Sequence, residues 1–174
     1  MSWKKAKDKV DSILAWTLIV LMAANVFNVL WQVFTRFILK NPSAFTEELA
    51  RFLLIWVGLL GAAYATGRKM HLAIEVILER LEGKIREIAE FAIQFFILLF
   101  ALLVMVVGGI RLVGITLALE QISAALRVKL GYVYLVLPIS GLLIMFYALV
   151  FMVERIKGKE IQEPILEVVN KEGI

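Results

Sequence analysis

Residues Phe45 to Glu75 read FTEELARFLLIWVGLLGAAYATGRKMHLAIE, and their charge pattern decides the fold. Phe52 to Gly67 carry no charge. Glu47, Glu48 and Arg51 bound this run on one side, and Arg68, Lys69 and His71 bound it on the other. Sixteen helical residues cover about 24 Å, short of the roughly 30 Å hydrocarbon layer. A spanning helix here must draw its charged ends up to the two membrane faces. Its middle is Trp, Gly and Ala, a profile suited to holding a partner and poorly suited to conducting an ion.

Three further runs lack charge: Ser12 to Thr35, Phe91 to Ile110 and Leu130 to Val153. Each is long enough to cross a bilayer. With 61% hydrophobic residues and a mean hydropathy of +0.87, the 174-residue chain reads as all-α and integral to a membrane. The expected order is helix one over about 11–37, helix two over about 42–67 and an interfacial helix over about 71–83. Helix three follows over about 85–113, then an outer interfacial helix over about 114–128, helix four over about 131–154 and a polar tail over 155–174. The first run is read as a retained helix, being too long for a signal-peptide core.

Lysine and arginine set the orientation. The N-terminal tail, the loop between helices two and three and the C-terminal tail hold 13, against six on the other side. Both termini are therefore expected in the cytoplasm. This clustering at span ends also argues against nucleic-acid binding. With no Cys and one His, the chain has no thiolate chemistry, and a histidine-cluster metal site is not expected.

Several residues stand out along the chain. Asn25, Asn28 and Gln32 share one face of helix one at i, i+3 and i+7, where hydrogen bonding to another helix is favoured over a polar pathway. Asn41 and Pro42 have the chemistry of an N-cap and first helical residue. Glu47 and Arg51 are spaced to pair along helix two, and Arg36 is placed to reach Glu48. Gly58 with Ala62, Gly61 with Ala65 and Ala63 with Gly67 form small-xxx-small pairs that permit close helix approach. Trp56 is read as a packing or lipid-facing residue. Arg68 and His71 are read as an interfacial cluster near lipid phosphate or a partner. Pro138 is expected to remove a backbone hydrogen bond and kink helix four.

No span has an ionisable residue in its middle, where an autonomous transporter usually carries one. No phosphate-binding glycine loop, paired-carboxylate site or zinc-protease motif is present, and no enzyme activity is expected. The chain reads as a subunit of something larger. The competing reading is a self-contained homo-oligomeric channel or small exporter.

Glu47, Glu48, Arg51, Trp56, Leu60-Gly61-Ala62-Ala63, Arg68 and His71 resemble a segment of the small membrane (Q) subunit of tripartite ATP-independent periplasmic, or TRAP, transporters. Arg36-Phe37, Ser123 to Leu126 and Gly131 to Gly141 extend the resemblance over the membrane region. Glu75, Lys129 and Phe45 depart from it, standing where Asp, Pro and Trp are common. The resemblance implies a bacterial inner-membrane protein that packs beside a large permease subunit and anchors it in the lipid. A periplasmic binding protein would deliver an organic acid, with sialic acid leaning ahead of C4-dicarboxylates. The large subunit would hold the substrate and sodium sites and move as an elevator. This chain would then need no cofactor of its own. Arg36, Glu47, Glu48, Arg51, Trp56, Gly58, Gly61, Ala62, Arg68, His71 and Pro138 are the candidate interface residues.

Overall fold

The computed structural model describes residues 2–41, 43–68 and 83–156. Its elements are α1 (Ser2–Phe37), α2 (Ala44–Gly67), α3 (Gly83–Phe100), a π-helical segment (Ala101–Gly108), α4 (Gly109–Ala118), α5 (Leu130–Tyr134) and α6 (Val136–Ile156). Four helical rods are long and apolar enough to cross a membrane: Lys5–Phe37, Ala44–Gly67, Ile88–Ala118 and Leu130–Val153. The third rod joins α3, the π segment and α4 without a break, since Phe100, Gly108 and Gly109 all keep right-handed helical dihedral angles.

Helix one begins well before the expected residue 11. Its 36 residues span about 54 Å, so it outruns a bilayer core. Helix two is capped by Ser43 in extended backbone, not by Asn41. Ser43 shares a 2.7 Å hydroxyl contact with Thr46, whose Oγ1 also donates to the Ser43 carbonyl. Pro42 and the expected interfacial helix from 71 lie outside the described residues. The outer interfacial helix expected over about 114–128 is corrected. Helix three runs straight on to Ala118, and 119–129 form a tight loop closed by an antiparallel bridge between Ile122 and Lys129. Glu120 and Arg127 both adopt positive φ there, which ends helical propagation.

The rods stand in an open row. Helix two packs between helix one and helix four, and helix four packs in turn on helix three. In the most apolar 18-residue stretch of each rod, half of helix four is buried, against 6% of helix one and 11% of helix three. The apolar core accordingly follows helix four: Val136, Ile144, Tyr147 and Phe151 meet Leu14, Leu60, Ala63, Ala101 and Met105. Several hydroxyls within the rods are satisfied locally. Thr66 donates to the Ala62 carbonyl, Thr116 to Leu112 and Ser140 to Leu137, so these three need no partner in lipid.

Glycine allows the tight contact between helices three and four. A Cβ on Gly109 would lie 2.9 Å from Pro138 Cδ, and one on Gly141 would lie 2.7 Å from Met105 Cβ. Pro138 is also the residue that separates α5 from α6. It has no N–H to offer the Tyr134 carbonyl, and α5 ends at Tyr134. Leu135 between them keeps helical dihedral angles, so the interruption is local. Gly58 and Gly61 contrast with these. Neither has an atom within 4 Å of a built Cβ, so that small-residue face of α2 has no close neighbour among the described residues.

Gly109→Ala should therefore lower stability by about 1–3 kcal/mol, because the proline ring cannot give way. Gly58→Ala should be neutral or slightly stabilising, since Ala is the better helix former. Thermal unfolding of the two variants in one detergent measures the difference.

Candidate functional site

The two ends of helix two each carry a carboxylate-centred cluster. At the N-terminal end, Glu48 reaches across to the 119–129 loop. Its Oε2 accepts from Ser123 Oγ at 3.0 Å and from the N–H groups of Ala125 and Leu126 at 2.9 and 2.8 Å. Its Oε1 accepts from the Ala124 N–H at 3.1 Å. Three successive N–H groups converge because residues 124–126 form a turn, leaving their donors free of helical partners. The loop is thus built around an anion, and helix two supplies it. Within the loop, Ser123 N–H donates to Val128 and Leu130 N–H to Gln121, which holds the turn in shape.

This corrects the expectation that Arg36 pairs with Glu48. Arg36 instead lines a groove of about 340 Å³ with Gln32, Ser43, Ala44 and Glu47, between the end of helix one and the start of helix two. Glu47 and Arg51 do pair at the expected spacing, but at 3.5 Å with both side chains about two-thirds exposed. Such a pair contributes little to stability. Asn28 Nδ2 donates to the Thr46 carbonyl at 2.7 Å, joining helices one and two as the amide face predicts.

At the C-terminal end of helix two the centre is Asp11 of helix one, an acid not singled out from the sequence. Asp11 is 6% exposed. Its carboxylate accepts from the Tyr147 hydroxyl and from Lys7 Nζ at 3.1 Å, with Arg68 Nε at 4.0 Å. Tyr147 itself is fully buried, and its ring lies where a Cβ on Gly67 would stand. Glycine at the end of helix two thus admits the tyrosine, and the tyrosine satisfies an acid on helix one. Arg68 turns toward this cluster and lies 5.4 Å over the Tyr64 ring. The signal in the sequence was Lys7-x-x-x-Asp11, an i, i+4 pair ending at the first apolar run.

The remaining candidates are placed as follows. Trp56 packs against the apolar core. Ala62 is exposed beside the open faces of Gly58 and Gly61. Pro138 packs on Gly109. His71 lies outside the described residues. Glu48 and Asp11 therefore join the ends of the rods, while Arg36, Glu47 and Arg51 stay at the surface.

This arrangement agrees with the comparison to known proteins. The tripartite ATP-independent periplasmic transporter family, DctQ component, matches residues 25–158. The chain belongs to that family. It is 35% identical over 86 residues to the sialic acid TRAP transporter small permease protein SiaQ of Vibrio cholerae, covering 49% of this chain and 50% of that protein. It is 30% identical to the isethionate TRAP transporter permease protein DctMQ of Oleidesulfovibrio alaskensis, over 68% of this chain but 20% of that one. A sialic acid TRAP transporter permease protein, SiaT, of Haemophilus influenzae is 26% identical over 66% of this chain and 18% of its own length. The chain therefore spans half the length of one of these relatives and about a fifth of the other two.

Two outcomes follow from the clusters. In Glu48→Ala, amides 124–126 should exchange hydrogen faster than in the wild type, with Glu48→Gln intermediate because it keeps one acceptor oxygen. Unchanged protection would show that the loop does not depend on the carboxylate. Tyr147→Phe keeps the ring and removes the donor to a buried acid, and should cost about 1–3 kcal/mol in thermal unfolding. Combined with Asp11→Asn, the loss should be less than additive.

Proposed function

We propose that this DctQ-family chain is the non-catalytic small permease subunit of a TRAP transporter. It holds and anchors a large, elevator-type membrane subunit during sodium-coupled, binding-protein-dependent import of an organic acid. The observation that carries this reading is the open row of four apolar rods. Their charges lie toward the rod ends, no span has an ionisable residue in its middle, and helices one and three leave most of their length uncovered. A structure of this kind offers surface, not a pathway.

The family supports the partner assignment. In DctMQ and SiaT the region similar to this chain is about a fifth of a longer permease polypeptide. The rest of such a polypeptide corresponds to the large subunit proposed here. The sialic acid lean rests on the SiaQ and SiaT likeness, while DctMQ, whose 30% identity lies between theirs, is named for isethionate. Substrate and sodium contacts belong to the large subunit and the binding protein in this reading. The location proposed is the bacterial inner membrane, with both termini cytoplasmic. Glu47, Arg51 and the groove beside Arg36 form the outward surface available to the periplasmic binding protein, and Arg68 lies at the inward end.

Because the Glu47–Arg51 pair stabilises the chain so little, Arg51→Ala should leave its unfolding temperature almost unchanged. It should reduce recovery of the binding protein with the transporter, or slow transport, without changing which acid is carried. A changed substrate profile in this variant would contradict a purely supporting role.

A further inference from the structure

Helix one has two uncovered flanks of different chemistry. On one, Ile19, Met22, Val26, Val29 and Val33 are all exposed and recur at steps of three and four. That is the spacing of a seam that takes a second helix, knob into hole. The other flank carries Trp16, Val20, Phe27, Trp31 and Phe34, also exposed, with Trp31 and Phe34 stacked on each other at 5.7 Å. Asn25 lies beside the aliphatic seam. With Val26, Val29 and Leu30 it lines a shallow groove of about 220 Å³. Its Oδ1 is enclosed and finds no donor among the described residues, whereas Asn28, one turn away, is satisfied by Thr46. An amide near the middle of a spanning helix is costly in hydrocarbon unless a hydrogen-bonding group meets it. Rotation about its broad terminal torsion presents either amide atom to the groove. The valines at 26, 29 and 33 are already stiff at χ1, so covering them orders little that was free.

We propose that the Ile19–Val33 seam with Asn25 is where a transmembrane helix of the large permease subunit docks, and that this helix brings a polar side chain to Asn25. This rests on the partner proposed above, and it specifies which flank of helix one is covered by protein and which by lipid.

The chain contains no cysteine, and a photo-crosslinking residue at single positions tests the flanks directly. The wild-type chain is first co-expressed and co-purified with the large permease subunit. Failure at that step overturns the partner assignment itself and the docking with it. Given the complex, adducts to the large subunit should form from positions 26 and 29 and not from 20 and 27. Asn25→Leu should weaken the complex about threefold, the value of one such hydrogen bond in a membrane, while leaving the isolated chain as stable as before or more so. Adducts from 20 or 27 alone, adducts from Gly58 on helix two alone, or adducts of two copies of this chain at 26 and 29 would each overturn the assignment.

Discussion

The Glu48 carboxylate is the point on which one end of the molecule depends. A charge at the edge of a low-dielectric layer persists only when hydrogen bonds replace its water. Here a hydroxyl and three backbone N–H groups from Ser123 to Leu126 do so. The turn in its own right has no partner for those donors, and the 119–129 loop around it holds two non-glycine residues at positive φ. Each side thus completes the other, and the contact ties the first helical hairpin to the connection between helices three and four. Asp11 has the same role at the opposite end, tying helix one to helix four through Tyr147. Helix two lies between these clamps, with Glu48 on one end and Gly67 against Tyr147 on the other.

Clamping at the ends explains how an open row of helices keeps its shape. In lipid, apolar faces gain nothing from meeting each other beyond packing, so association relies on close contact and a few polar links. The close contacts run down helix four, at Gly109 with Pro138, Gly141 with Met105 and Gly131 with Leu117. Helix one, farther from this line, is joined by Asn28 to Thr46 and by Asp11 to Tyr147. The faces left uncovered are then the ones a partner or lipid must occupy, which is the arrangement a supporting subunit requires.

Much of this was legible in the sequence. Four uncharged runs gave the four rods, because backbone satisfaction in lipid leaves helix as the ready solution for runs of that length and composition. The Glu47–Arg51 pairing, the polar link from helix one to helix two and the break at Pro138 followed from local spacing and the missing N–H. What could not be read was non-local. Glu48 takes donors from residues 123–126, and nothing in the spacing of Arg36 and Glu48 reveals that a turn has a stronger claim. The outer connection read as a helix because it is apolar and amphipathic. In the structure, the anion bound within it and the strained residues at its ends make it a turn. Asp11 looked like an ordinary flanking charge, since the tyrosine that reaches it lies 136 residues away. Gly58 and Gly61 had the pattern of a packing face, yet the chain packs tightly through other glycines.

In the function proposed above, this chain supports and its partner moves the solute. Transport into proteoliposomes tests that division most directly. Vesicles containing this chain alone should take up no organic acid under a sodium gradient, and uptake should appear only with the large permease subunit and the binding protein present. Solute movement by the purified chain alone would contradict the account.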